Sequence, residues 1–246
     1  MQRAGVPRSP AESPHGAAVE ALARLDPWRL GAGAGVAIVG LGFLGGLNAV
    51  GLPLGFFDLE AELTVPAFFS GLLLLSAAVL AFAVARHGLA GAGPHWAVAV
   101  LGVVFLAMAV DEVAVVHENM DDWFGAENWI VAYLPVIALA AYAWLVTLRL
   151  LLASPTLGPP VLFLAGAAAW GLAILIELPH QEGWNNWVAH LFVLPEEMLE
   201  MGGSLCFSLA LLALIRTRAA RGEPATGAPA GPARPAPAER ARPPLR

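Results

Sequence analysis

The sequence has no lysine, and all thirteen of its basic residues are arginines. Charged residues of both signs fill only 13% of 246 positions, about half of the ~25% that a soluble domain carries. So few charges, beside 58% hydrophobic residues and a mean hydropathy of +0.69, rule out disorder as the main state and argue against a soluble enzyme. A formal net charge of −6 and a pI near 5.5 argue against a nucleic-acid partner. Cysteine is nearly absent too. Cys206, alone in the chain, cannot close an internal disulfide, and no Cys/His spacing matches a zinc finger.

What the chain has in abundance is long apolar runs. A helix needs about 20 mostly apolar residues to cross the ~30 Å hydrocarbon core of a bilayer. Six stretches qualify, near 31–53, 65–85, 95–117, 130–152, 160–178 and 195–215. The fold class is therefore all-α, a polytopic bundle of about six membrane-spanning helices. The domain organisation follows: an N-terminal segment over 1–29, partly disordered; a transmembrane domain over 30–215; and an Arg/Pro/Ala-rich tail over 216–246, disordered with polyproline character. Arg3 and Arg8 precede no apolar signal-peptide core, so the first span is expected to act as an uncleaved anchor.

Six crossings sort the arginines to one side. Arg3, Arg8, Arg24 and Arg29 precede the first span, Arg86 follows the second, Arg149 closes the fourth, and Arg216, Arg218 and Arg221 follow the sixth. The positive-inside rule makes that side cytoplasmic, with both termini there and the protein in a cell membrane. The other side holds no basic residue. It carries carboxylates from Asp58 to Glu200, with Trp123, Trp129, Trp184 and Trp187 at the same boundary.

Depth separates these acids. Counting from Trp96 at ~1.5 Å per residue, Asp111 and Glu112 lie roughly 22–24 Å across the core. Ionisable groups below a membrane surface are costly unless paired, and they point to function. In the run Asp111-Glu112-Val-Ala-Val-Val-His117-Glu118, Asp111 and Glu118 fall about 20° apart on one helical face, flanked by Glu112 and His117. The helix dipole disfavours negative charge at this C-terminal end. Either the carboxyls are neutral and hydrogen-bonded to one another, or a cation compensates them. Glu177 repeats the situation at the end of the fifth span, before Pro179 and His180. Glu-x-x-His is the spacing of di-iron bundles, but Pro179 interrupts it and the spanning region 30–215 holds no second copy.

The sixth span opens on Pro195-Glu196-Glu197, as an ordinary helix start does, with proline first and acids in the first turn. Glu200 is more than a turn inside, and Glu196, Glu197 and Glu200 cover an arc of only about 100°. His190 lies in an amphipathic connector, Trp187–Leu194, either as an interfacial residue or as a ligand. Glu62, in the Asp58–Pro66 segment, stands just before the second span, where Thr64 and Pro66 suit a helix start. The glycine-rich first span, with no preceding strand, is not a dinucleotide loop; Gly31/Gly35 and Gly42/Gly46 have the small-xxx-small spacing of close helix packing.

Taken together, the DLExE-like run into the second span, the DE…HE end of the third and the EE…EM start of the sixth resemble an uncharacterised group of bacterial polytopic membrane proteins. The resemblance covers roughly 55–205. It implies a bacterial integral membrane protein and brings no activity with it.

These readings lead to a divalent-metal site at the extracytoplasmic end of a six-helix bundle. Its expected ligands are Asp111, Glu112, His117, Glu118, Glu177, His180, Glu197 and Glu200, with Glu62, His190 and Glu196 as outer candidates. Carboxylates with imidazoles suit Fe, Mn or Zn, and such an ion can activate water or oxygen against a lipid-soluble substrate arriving from the bilayer. The same carboxylates also suit a cation-coupled transporter or channel, and a non-catalytic membrane subunit is the third possibility. Oligomeric state is not legible.

Overall fold

In a computed structural model of the chain, the described residues are 14–59, 61, 63–88, 95–114, 129–177 and 186–221. Their regular structure is helical throughout. The seven α-helices are α1 (Pro14–Arg24), α2 (Pro27–Ala49), α3 (Val65–Arg86), α4 (His95–Ala114), α5 (Trp129–Leu152), α6 (Gly158–Glu177) and α7 (Asn186–Ala220), with one 3₁₀ turn at Gly55–Phe57. Helices α2 to α7 are long and apolar enough to cross a membrane, which makes this a multi-pass membrane protein.

Five helices close a ring in which α3 packs on α4, α4 on α5, α5 on α6, α6 on α7, and α7 back on α3; α2 and α1 lie outside it, against α7. Small residues set the close approaches. A Cβ on Gly71 of α3 would meet Val113 Cγ2 at 3.0 Å, and one on Gly102 of α4 would meet the Phe82 ring at 2.9 Å. Between α6 and α7, Gly166 and Gly203 face each other so closely that a Cβ on either would stand 2.9 Å from the other's carbonyl oxygen. Where α3 meets α7, the Ser76 and Ser208 hydroxyls are 2.7 Å apart, and both reach the Leu73 carbonyl. Each hydroxyl thus finds a partner in a layer with no water.

One end of the bundle collects the arginines. Asp26 caps α2 by accepting from the Trp28 N–H at 3.0 Å, and it lies within 3.6–3.7 Å of Arg29 and Arg216. Arg24, Arg86, Arg149 and Arg218 close α1, α3, α5 and α7 at this arginine end. The opposite, acidic end carries the start of α3 and the ends of α4 and α6.

Several sequence expectations change. Pro195 does not open a helix: it lies inside α7, one continuous 35-residue helix that absorbs the connector Trp187–Leu194. Without an N–H, Pro195 leaves the Leu191 carbonyl short of its helical donor, which membrane helices tolerate through compensating contacts. Helix α7 also runs past Arg216 to Ala220. The N-terminal segment contains α1, whose Val19 is buried while Leu22 and Ala23 pack on the core. Thr64 sits at the cap of α3 but does not cap it; its hydroxyl donates to the Ala61 carbonyl at 2.9 Å. Gly31 and Gly42 press on Leu209 and Met198 of α7, whereas Gly35 meets nothing within 4 Å.

Candidate functional site

The site is built on an aromatic floor. Inside the ring, Trp144 of α5 stacks on Phe163 of α6 at 5.4 Å, Phe163 meets Phe207 of α7 edge-on at 5.2 Å, and Phe207 meets Phe105 of α4 at 5.2 Å. Trp170 of α6 adds an edge contact to Phe207 at 6.3 Å. Phe105, Phe163 and Phe207 are almost wholly buried. These stacked and edge-on arrangements contribute beyond simple burial, and they close the bundle interior at this level.

Carboxylates stand above that floor by helical arithmetic. Seven residues turn a helix through almost two full turns, within about 20°, and raise it by roughly 10 Å. Glu112 is seven residues beyond Phe105 on α4, and Glu200 is seven before Phe207 on α7. The two helices run in opposite directions, so both displacements lead towards the acidic end. The contact between Phe105 and Phe207 therefore sets the stripes of Glu112 and Glu200 on the same inner side of the ring. Glu196, eleven residues before Phe207, shares that stripe. Glu197 instead falls in line with Met201 and Ser208, the stripe that meets α3. The Glu112 Cγ lies 3.8 Å from where a Gly71 Cβ would be, so its stem runs against α3.

At Glu200 the backbone is held as well. Trp170 Nε1 donates to the Glu200 carbonyl at 3.0 Å and to Ser204 Oγ at 3.3 Å, while Ser204 Oγ also donates to that carbonyl at 2.9 Å. The floor and the acid level are thus joined through Trp170. Asp111, Glu112, Glu196, Glu197 and Glu200 are all partly buried, and each engages a partner.

Compared with known families, residues 29–215 match DUF8692, a domain of unknown function. The chain belongs to the DUF8692 family. The DUF8692 match runs from the start of α2 into the last turns of α7 and so takes in the six long helices, the aromatic floor and the acid level. No curated protein and no solved structure matches the chain.

Not every expected ligand of this DUF8692 chain can be placed. Glu62, His117, Glu118 and His180 lie outside the described residues. Glu177 ends α6, seven residues beyond Trp170, and His190 falls in the first turns of α7, but the side chains of both lie outside the described residues. Among the described residues, no group of three or more His, Cys, Asp or Glu side chains is arranged to hold a metal ion. The placed carboxylates of α4 and α7 therefore do not form a metal shell by themselves. A small hollow nearby, lined by Gly45, Gly46, Asn48, Asp58, Leu59 and Leu194, lies between the end of α2 and α7, on the other side of α7 from the floor. Trp170 and Ser204 escaped the sequence reading, although Phe163, Trp170 and Glu177 repeat at seven-residue intervals.

Proposed function

We propose that this multi-pass membrane protein carries a divalent-metal site (Fe, Mn or Zn) at its acidic end and uses it on a lipid-soluble substrate. In this proposal Asp111, Glu112, Glu197 and Glu200 provide carboxylates, and His117, Glu118, Glu177 and His180 complete the ligand set. Glu62, His190 and Glu196 stand further out. The single observation that supports it most is the placing of Glu112 and Glu200 two turns above one aromatic contact, on facing stripes of antiparallel helices. Partly buried carboxylates in an apolar bundle call for neutralisation, and that end of the chain supplies neither Lys nor Arg. The proposed orientation places the acidic end outside and both termini in the cytoplasm.

The aromatic floor favours this reading over cation transport along the bundle axis. An ion leaving the carboxylates towards the arginine end would meet Phe105, Phe163 and Phe207, which offer no oxygen ligand in place of its hydration shell.

The test is metal content and melting temperature of the full-length protein in detergent. The proposal expects about one divalent transition-metal ion per chain and a loss of stability on chelation. That loss is about 2.7 kcal/mol if the metal is present at a hundredfold excess over its Kd. His117→Ala and Glu118→Gln should each lower the metal content while the protein still inserts. A wild type without metal, whose melting ignores chelators, would exclude the metal site.

A further inference from the structure

Helix α5 does not complete the ring along its whole length. Among its residues whose side chains are described, 134–152, the buried ones are Ala143, Thr147 and Leu151, one stripe at four-residue spacing, all in the half nearer the arginine end. Beyond them, residues 134–139 are exposed without exception. Successive helical residues turn by 100°, so six consecutive exposed positions look in every direction around the axis. Among the described residues, no ring neighbour covers any side of α5 over 134–139.

The segment Leu134-Pro135-Val136-Ile137-Ala138-Leu139 has no polar side chain. Leu106 and Val110 of α4, and Leu172 and Leu175 of α6, are exposed in the corresponding halves of the flanking helices. The ring is thus open on its α5 side towards the acidic end, with apolar walls, and the gap leads to the space above the aromatic floor where the Glu112 and Glu200 stripes lie.

Charge decides what fits. Among the described residues, the acidic end carries Asp58, Asp111, Glu112, Glu196, Glu197 and Glu200 but no Lys or Arg. An anionic head group would be repelled there, and an ammonium group would be attracted. We propose that the gap between α4 and α6 takes the acyl chain of a phospholipid whose ammonium head group faces the acidic end. The reading deepens the proposed function by naming its lipid class, and it rests on the acidic end being the working end, but not on a bound metal.

The full-length protein in nanodiscs of equal phosphatidylethanolamine and phosphatidylglycerol, with chelator present throughout, is extracted into detergent, and the lipid that stays bound is measured by mass spectrometry. One favourable charge contact of the size seen at membrane surfaces corresponds to about fivefold enrichment of the ammonium lipid. Glu112→Gln with Glu200→Gln should return the ratio towards that of the nanodisc. Equal retention of the two lipids, enrichment of the anionic one, or retention of neither overturns the proposal, and the wild-type ratio alone is enough to do so. In a second measurement, Ile137→Cys in a Cys206→Ser background is oxidised in the same nanodiscs. A covalent dimer would assign the open side to a second copy of the chain and overturn the lipid reading. Because chelator is present, failure here is distinct from failure of the metal test.

Discussion

Gly202 and Gly203 are neighbours on α7 with opposite surroundings, and together they test how α6 and α7 are joined. A methyl group at Gly202 would meet nothing within 4 Å. One at Gly203 would fall on Trp170 Cδ1 and stand 2.9 Å from the Gly166 carbonyl oxygen. The indole would have to move away, and the backbone oxygen cannot. Moving it gives up the Nε1 hydrogen bonds to the Glu200 carbonyl and Ser204 Oγ, each worth about 1 kcal/mol net. Forcing an extra carbon into the contact adds about 1–3 kcal/mol, and the better helix propensity of alanine returns about 1 kcal/mol. Gly203→Ala should therefore destabilise the protein by about 2–4 kcal/mol. Gly202→Ala keeps only the propensity gain and should be stabilising by about 0.5–1 kcal/mol. Reversible unfolding in mixed detergent micelles, followed by circular dichroism and tryptophan fluorescence, measures both. If Gly203→Ala proves as stable as Gly202→Ala, α6 and α7 do not meet at Gly166 and Gly203, and the tie between floor and acid level is lost with that contact.

The Ser76–Ser208 pair joins α3 to α7; the coupling energy from a cycle of Ser76→Ala, Ser208→Ala and the double variant should be about 0.6 kcal/mol, as for other hydrogen bonds between membrane helices, and strict additivity would show that the hydroxyls do not bind each other. The proposed orientation is checked by single cysteines in a Cys206→Ser background: Asp122→Cys and Glu182→Cys should react with an impermeant thiol reagent outside intact cells, and Gly227→Cys should not. Labelling at position 227 alone would invert the protein.

The six spans were legible because an apolar run of bilayer length leaves few alternatives to a helix. The start of the last helix was not. Proline followed by two glutamates is the pattern of a helix start, yet the amphipathic turns before Pro195 carry α7 on past it. Helix α1 was overlooked because eleven residues are too short for a hydropathy signal; its apolar Val19, Leu22 and Ala23 find cover only in the packed bundle. Spacing identified glycines that share a helix face but not which face meets a partner, so Gly31 is in contact with α7 and Gly35 is not. At the candidate site, counting along the chain sufficed to put Asp111, Glu112 and Glu200 on long helices near the acidic end. The aromatic floor did not, because Phe105 and Phe207 come from distant parts of the chain and no local period links them.

The placing of α7 has a consequence for how the protein is made. Among the long helices, α2 has α7 as its principal partner, and about 140 residues separate the end of α2 from the start of α7. At the usual pace of synthesis, ~5–20 residues per second, α2 is complete for roughly 10–30 s before its partner exists. During that interval Gly31 and Gly42 face lipid or the insertion machinery, and Asp26 has Arg29 but not Arg216 beside it. The ring waits too, since both α3 and α6 take α7 as a neighbour. Assembly of the bundle is therefore expected to be a late step, set by the arrival of the last helix. A ribosome stalled with α6 emerged but α7 still inside its exit tunnel should leave the earlier helices inserted but open to proteases and cross-linkers to which the finished protein is resistant.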